Sequence, residues 1–213
     1  MTRPRSGRGI SGSDPRRAGP AIAAAAVALI LAAPSTGTAA ESLRANGGCR
    51  DGVPNGAFEL TLPDGRLRVS GAFARGKRSG TFIFWSPSGA RLAVVPYDDD
   101  AKSGTVAAWH PPAAAGAAPV RRLEAPYAGN LPHGTRRTWH ANGNPRTEVR
   151  YERGSPVEAR AWAEAGAPLP AEEARALAER DLAGDDAFLA ALEALVDGER
   201  PRCDRVRDHA RAL

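Results

Sequence analysis

Two histidines of the 213-residue chain each follow a tryptophan directly, and both carry ring nitrogens that could bind a metal. His110 and His140 fall on neighbouring predicted hairpins, two strand spacings apart, which is roughly 10 Å. A zinc ion holds each ligand nitrogen at about 2 Å, so one ion could not bridge them without rearrangement. His133 precedes the second hairpin and lies at the far end of its strand. We therefore predict solvated histidines and no metal site.

Catalytic signatures are also missing from the sequence. It contains no HExxH, no GxSxG, no glycine-rich phosphate loop and no CxxC pair with zinc spacing. The acidic run Asp98–Asp100 falls in a connection, where a solvated turn is commoner than a cation site. No nucleophile has a base predicted beside it. The sequence predicts no catalytic residue, no cofactor and no enzymatic activity.

The amino terminus has the order of a secretory signal peptide. Five arginines and a single acid, Asp14, lie in the first twenty residues. An apolar run over residues 21–33 follows, and small residues lead to a cleavage site after Ala39 or Ala40. A membrane-spanning helix needs about 20 apolar residues, so this run is too short for an anchor. We predict a signal peptide over residues 1–40 and a periplasmic or extracellular protein. The Arg16–Arg17 pair resembles a twin-arginine signal, but its surroundings lack that motif and favour the Sec route.

Removal of the signal peptide changes the charge balance. The whole chain carries 29 basic and 24 acidic side chains, for a formal net charge of +5. Five arginines and one aspartate lie in residues 1–40, so the mature chain keeps 24 basic and 23 acidic side chains. This near balance gives no electrostatic case for nucleic acid. We expect no nucleic-acid partner and no stable membrane span after cleavage.

The two cysteines, Cys49 and Cys203, bracket the mature chain. In an oxidising compartment they could form a disulfide that closes a loop of about 150 residues and stabilises the fold by up to about 4–5 kcal/mol. The alternative is two unpaired thiols whose Cα atoms lie too far apart to bridge. The sequence leaves both open.

A repeat of 24 residues organises the middle of the chain. Glycines begin the units at Gly56, Gly80, Gly104 and Gly134, and an insertion over residues 111–120 lengthens the third unit. Aromatic residues keep the same register. The boundaries predicted are a lead-in (41–55), four units (56–79, 80–103, 104–133 and 134–157), a partial unit (158–168) and a C-terminal segment (169–213). The predicted repeat core consists of Phe58, Phe73, Trp85, Tyr97, Trp109, Tyr127, Trp139, Tyr151 and Trp162.

Each unit is predicted to form a β-hairpin, because apolar and polar side chains alternate on both sides of a turn that contains glycine. In the first unit Phe58 and Leu60 share the packed face; in the fourth, we place Thr135, Arg137 and Trp139 on one face. The fold class predicted is mainly β: one antiparallel meander of about 4.5 hairpins, or nine strands, with one packed and one wet face. The candidate binding surface on the wet face of the fourth unit is Arg136, Arg146, Glu148 and Arg150.

Two stretches carry a resemblance to a known family. "GTFIFWSPSGARLAVVPYDDDAKSG" and "GTRRTWHANGNPRTEVRYERG" resemble the MORN-repeat variant of many bacterial proteins, some of them labelled antitoxins of the YwqK type. The motif before each new unit is kept well in "FARGKRSG", partly in "YERGSPVE" and loosely in "YDDDAKSG" and "YAGNLPHG". The resemblance covers residues 52–168. It implies a β-hairpin repeat that serves as a scaffold or binding surface.

The last third has a helical pattern. Pro170 and Ala171 begin a first predicted helix that ends at Gly184, and a second helix follows from about Asp186 to Val196. A third short helix is predicted around Cys203. We expect these helices to cap the final edge of the sheet; the alternative is a helical hairpin that binds a partner.

The tryptophans allow two interpretations, a ligand-binding platform or a structural core. On the wet face, beside Arg136, Arg137 and Arg160, they would form a stacking platform for a ligand. Their recurrence in every unit favours the packed face instead. We expect an exported, non-catalytic scaffold that binds another protein or a component of the cell envelope. The alternative is an exported antitoxin or immunity-type protein that binds a toxin. The oligomeric state is not predicted.

Overall fold

A computed structural model of the chain describes residues 42–114 and 116–203. The predicted signal peptide lies outside the described residues. So does nearly all of the third predicted helix, and Cys203 itself is not helical.

Within the described residues, thirteen strands form one antiparallel sheet, so the predicted mainly β meander is confirmed. Ten strands follow one another across the sheet, and three two-residue strands, β4, β7 and β10, pair with the strand before them. The strands are β1 (Arg44–Arg50), β2 (Val53–Thr61), β3 (Leu67–Ala74), β4 (Lys77–Arg78), β5 (Gly80–Trp85), β6 (Arg91–Asp98), β7 (Ala101–Lys102), β8 (Gly104–Trp109), β9 (Arg121–Ala128), β10 (Leu131–Pro132), β11 (Gly134–Trp139), β12 (Pro145–Glu152) and β13 (Ser155–Ala161).

The strand β1 was not predicted. It lies in the segment expected as a lead-in and pairs with β2, so it forms the first edge of the sheet. Its sequence, "RANGGCR", has no alternation of apolar and polar residues. This strand is held in place by its backbone pairing to β2 and by the covalent bond of Cys49 to Cys203. Neither interaction produces a pattern of apolar residues, so the sequence pattern did not predict the strand.

The hairpins of the first, second and fourth units each turn at a glycine in the left-handed region of backbone conformation. Gly65, Gly89 and Gly143 have φ values of +87°, +87° and +88°, a conformation that is strained for residues with a Cβ atom. Successive units are also joined at their other end by a repeated backbone bond. These bonds run from Gly76 N to Pro54 O, from Asp100 N to Arg78 O, from Asn130 N to Lys102 O and from Gly154 N to Pro132 O, at 2.8–3.0 Å. The equivalence of these bonds shows that the units stack with one geometry.

A single helix, α1 (Ala171–Gly198), replaces the two predicted helices. The start at Ala171 agrees with the prediction, but the break at Gly184 was wrong. A glycine inside a helix costs only about 1 kcal/mol relative to alanine. Burial of Asp185, Leu189 and Leu192 directly after it holds the helix together.

The helix lies across one face of the sheet. Its 28 residues give a length of about 42 Å, which matches the width of about 43 Å expected for ten paired strands. Its N-terminal part packs on β12 and β13, and its C-terminal part packs on the first three units through Leu189, Leu192 and Val196. It is therefore a cap, but one that covers a face of the sheet and not the final edge. Part of that edge is bonded by the chain just before the helix, where Leu169 N donates to Ala161 O at 2.9 Å.

Apolar side chains under the helix form two separate clusters. The larger contains Phe58, Phe73 and Phe82 of the first units together with residues of the third unit. The smaller contains Val149, Tyr151 and Ala178. Among the described residues, no helix is long and apolar enough to cross a membrane.

Cys49 and Cys203 form a disulfide, with their Cα atoms 5.7 Å apart. Of the two alternatives that the sequence leaves open, the structure has the disulfide. The bond joins the edge strand β1 to the chain that follows the helix. It therefore fixes the far end of α1 to the far edge of the sheet.

Reduction of this disulfide should destabilise the protein strongly. The cysteines are 154 residues apart in sequence, and closing a loop of that size reduces the entropy of the unfolded chain by an amount worth about 4–5 kcal/mol. Urea unfolding with and without a reductant measures the loss. The double variant Cys49→Ser, Cys203→Ser is the control, because the reductant should leave its unfolding midpoint unchanged. An equal midpoint for oxidised and reduced wild-type protein would contradict the expectation.

Candidate binding surfaces

The position two residues after each unit glycine faces the helix. It holds Phe58, Phe82 and Val106 in the first three units, and all three are fully buried. In the fourth unit the same position holds Arg136, which is also only 1 % exposed. The prediction that Arg136 lies on the wet face was therefore wrong. The prediction assigned the faces of β11 one residue out of step, and a shift of one residue exchanges the two faces of a strand.

The change to polar residues extends to two neighbouring positions of the fourth unit. Thr138 replaces Leu60, Phe84 and Ala108, and Thr147 replaces Val69, Ala93 and Leu123 at the equivalent helix-facing positions. The two threonine hydroxyls are hydrogen-bonded to each other at 2.6 Å. Thr138 also donates to Asp181 of the helix at 3.1 Å. A polar layer thus lies between the sheet and the helix in the fourth unit.

Asp185 of the helix lies at the centre of this layer. Its carboxylate accepts hydrogen bonds from both Arg122 and Arg136. Only 7 % of the Asp185 side chain is exposed, so this carboxylate is compensated by two guanidinium groups in a nearly dry environment. Buried charges require such pairing, because an unpaired one costs several kcal/mol.

Arg146 faces the helix as well, contrary to its predicted place on the wet face. The pairing of β11 with β12 skips this residue: Trp139 pairs with Pro145 and Thr138 with Thr147. A β-bulge of this kind turns the extra side chain out of the simple alternation. Arg146 donates to Asp181 through Nε and Nη2, at 2.9–3.1 Å, and this hydrogen-bonded carboxylate raises the pKa of Arg146.

Acidic residues of the helix contact the earlier units too. Glu193 accepts from the Tyr97 hydroxyl at 2.7 Å and lies 2.9 Å from Lys102 Nζ. Asp197 lies 3.6 Å from Arg78 Nη2. The helix therefore places carboxylates over the first, second, third and fourth units, each opposite a basic residue of the sheet.

A cleft of about 320 Å³ opens between the helix and the third and fourth units. It lies above the polar layer, and on its helix side Gly184 contributes no side chain between Asp181 and Asp185. Its lining consists of His110, Arg122, Thr138, Trp139, His140, Ala141, Arg146, Arg180, Asp181, Gly184 and Asp185.

The two repeat histidines connect neighbouring units. His110 Nε2 lies 2.8 Å from Trp139 O, and His140 Nε2 lies 3.0 Å from Trp162 O. A carbonyl oxygen only accepts, so Nε2 carries the hydrogen in both rings. The residues that the structure describes include no group of three or more His, Cys, Asp or Glu side chains that could hold a metal ion.

None of the four tryptophans belongs to the apolar clusters under the helix, although they were predicted in the repeat core. Trp109 is only 7 % exposed, yet Arg91 and Arg121 cover it, with Cζ atoms 4.0 and 5.2 Å from its ring centroid. The preceding residue, Ala108, faces the helix, so the alternation along β8 places Trp109 on the opposite face. The predicted Phe and Tyr residues do lie under the helix: Phe58, Phe73, Tyr97 and Tyr127 in the larger cluster and Tyr151 in the smaller.

The face opposite the helix, here called the open face, has two different halves. From β3 to β8 it carries eight uncharged side chains in two rows, which we call the uncharged patch: Ser70, Ala72, Thr81, Ile83, Val94, Pro96, Thr105 and Ala107. From β9 onward the row that contains Ser70, Ile83, Val94 and Ala107 continues with charged residues. Glu124, Arg137, Glu148 and Arg160 follow one another on paired strands, and Arg137 Nε donates to Glu148 at 2.9 Å. Glu148 and Arg150 are the two members of the predicted binding surface that lie on the open face.

Sequence reasoning missed the polar layer, although the sequence contains a signal for it. An arginine stands at a repeat position that is otherwise Phe or Val, and Asp185 stands on the apolar stripe of the helix between Leu182 and Leu189. Each residue alone looks like an exception. Together, an acid and a base at core positions of two packed elements indicate an ion pair.

A scan against protein-family models and a search of the curated proteins found no match to this chain.

The three tyrosines of the chain should resist ionisation until the protein unfolds. Burial is the main cause that raises the pKa of Tyr97 and Tyr151, and it raises the pKa of Tyr127 to about 12. In the unfolded chain the pKa of tyrosine is about 10. The buried, protonated tyrosines therefore make their full contribution to the stability of the fold below pH 10, and this contribution is lost as the pH rises towards 12. Tyrosinate absorbance and far-ultraviolet circular dichroism, followed over an alkaline titration, should change together. Tyrosinate absorbance that appears near pH 10 with the circular dichroism unchanged would refute this. In Tyr127→Phe, the loss of stability over the same range should be smaller.

Proposed function

We propose that this protein is an exported, non-catalytic binding protein whose uncharged patch contacts another protein or a component of the cell envelope. The observation that carries the proposal is the patch itself. Its eight side chains occupy four adjacent strands with no charge among them, in a chain of which 25 % of residues are charged.

The form of the patch suits a binding surface. Four strands spaced by about 4.8 Å make it roughly 15–20 Å wide. In one of its two rows Ile83 pairs with Val94, and Val94 pairs with Ala107. Surfaces of this kind, apolar in the middle and bordered by polar groups, are typical of protein interaction sites. The charged row beginning at Glu124 would provide the polar border on one side.

The rest of the fold keeps this surface in a fixed form. The helix packs against the other face of the same strands, and the disulfide holds its end to β1. A preorganised surface loses little conformational entropy on binding. The fixed surface therefore favours a partner whose own surface is complementary to it in shape.

The disulfide supports export, since structural disulfides persist mainly in oxidising compartments. The basic and apolar segment at the amino terminus supports the same location. The non-catalytic part of the proposal rests on the sequence, which has no recognisable catalytic signature.

Site-directed photo-crosslinking in the producing cell tests the proposal. A photoreactive amino acid at Ile83 or Val94 would lie on the uncharged patch, and one at Ala190 would lie on the exposed side of the helix. We expect a discrete crosslinked product from Ile83 and Val94 and none from Ala190. Products from Ala190 alone, or equal products from all three positions, would contradict the assignment of the patch.

A charged substitution within the patch provides a second test of the proposal. Val94→Glu should remove the crosslink formed from Ile83, because the partner would have to bury a carboxylate without a counter-charge. The matched variant Ala190→Glu adds the same charge on the helix and should leave the crosslink intact. A crosslink that survives Val94→Glu unchanged would locate the contact elsewhere.

A further inference from the structure

We propose that the cleft between α1 and the fourth unit is a binding site for a small oxyanion, a carboxylate or a phosphate group. This site lies on the helix side of the sheet, so it is separate from the uncharged patch and does not depend on it.

The polar layer below the cleft is not needed to form the hairpins of the sheet. In the first three units apolar side chains such as Phe82, Phe84 and Ala93 fill the equivalent positions and support the same hairpin geometry. Ion pairs buried in a core contribute little net stability compared with apolar packing. A local change from Phe, Leu or Val to Arg136, Thr138 and Thr147 therefore indicates a role other than packing.

The charge of the cleft favours an anion. Four guanidinium groups, those of Arg122, Arg136, Arg146 and Arg180, line the cleft or bind the carboxylates that line it, and two carboxylates oppose them. The surplus is two positive charges. Arg122 uses Nη2 for Asp185, and Arg180 uses Nε for the carbonyl of Ala176 at 3.2 Å, so further donors remain on both residues.

Arg136 lies below the cleft, outside its lining, and adds to its positive charge. Within the described part of the chain, its Nε and Nη1 atoms are buried and have no hydrogen-bond partner. Its Nη2 atom binds Asp185, which lines the cleft. Unpaired buried donors of this kind are costly, so the positive charge of Arg136 below the cleft is only partly compensated, and it favours an anion above it. An oxyanion in the cleft would itself bind the guanidinium donors that line it.

The size of the cleft fits a small ligand. Its volume of about 320 Å³ is at the lower end for small-molecule sites. A Cβ atom added at Gly184 would meet nothing within 4 Å, so the helix leaves open space at this point. The rings of His110 and His140 are fixed by their bonds to Trp139 O and Trp162 O, which gives the cleft rigid walls.

Calorimetric titration of the full, disulfide-bonded chain with inorganic phosphate and, separately, with acetate tests this site. Sodium chloride holds the ionic strength constant, so that a general salt effect is subtracted. We expect saturable binding of at least one anion. Binding of phosphate alone would assign the site to phosphate groups, and binding of acetate alone would assign it to carboxylates.

Two variants locate the binding. Arg180→Ala removes an exposed donor of the cleft without touching the core and should weaken binding at least tenfold, as expected for a charge-assisted hydrogen bond. Arg175→Ala, also an exposed arginine of α1, lies outside the cleft lining and should change the affinity less than twofold. Gly184→Gln places a side chain in the cleft and should abolish binding.

Circular dichroism and the melting temperature establish that each variant is folded. The proposal fails if neither anion saturates the wild-type protein, or if the affinity is the same in Arg180→Ala as in the wild type. If Gly184→Gln does not fold, the comparison of Arg180→Ala with Arg175→Ala decides the question.

Discussion

The ion pairs between Arg136, Arg122 and Asp185 determine how the helix and the sheet fit together. Asp185 lies in the middle of α1 and is almost completely buried, so any sliding or rotation of the helix would leave charges unpaired in a dry environment. Apolar contacts on either side of this point are less selective, because leucine and alanine pack in several registers. The pairs therefore fix the position at which a long helix crosses ten strands, and the disulfide then fixes its end.

Because the helix covers one face of the sheet, the side chains of the other face are the ones left for contacts with a partner. The open face carries no structural element among the described residues, and its charged and uncharged halves are set by the side chains of each unit. The second unit places Ile83 and Val94 there and the third places Ala107 beside Glu124, whereas the fourth places Arg137 and Glu148. The fourth unit thus has charged residues on the open face of both of its strands and a polar layer under the helix. Sequence differences between units, rather than the repeat itself, carry the two binding proposals.

The sequence predicts the repeated part of this fold well, because a hairpin depends on local alternation and on glycines such as Gly65 and Gly89, which are visible within one unit. It predicts the long-range arrangement less well. Gly184 was predicted to end a helix because glycine is a common helix terminator. The helix continues because the residues after it are buried against the sheet, and this tertiary contact is not visible in the local sequence. Arg146 was placed on the wrong face because a β-bulge interrupts the alternation. The tryptophans were assigned to the core on their recurrence alone, and recurrence does not distinguish two faces that both repeat.

A double-mutant cycle between Arg136 and Asp185 tests most directly whether their pairing fixes the helix on the sheet. Asp185→Leu alone leaves Arg136 buried without its partner and should cost about 3–5 kcal/mol of unfolding free energy. Arg136→Phe restores the residue type found in the first two units, and the double variant should regain much of the loss, with a coupling of roughly 1–3 kcal/mol. Urea unfolding of the oxidised proteins provides these values. Costs that simply add, to within about 0.5 kcal/mol, would show that the pair does not determine how the helix docks.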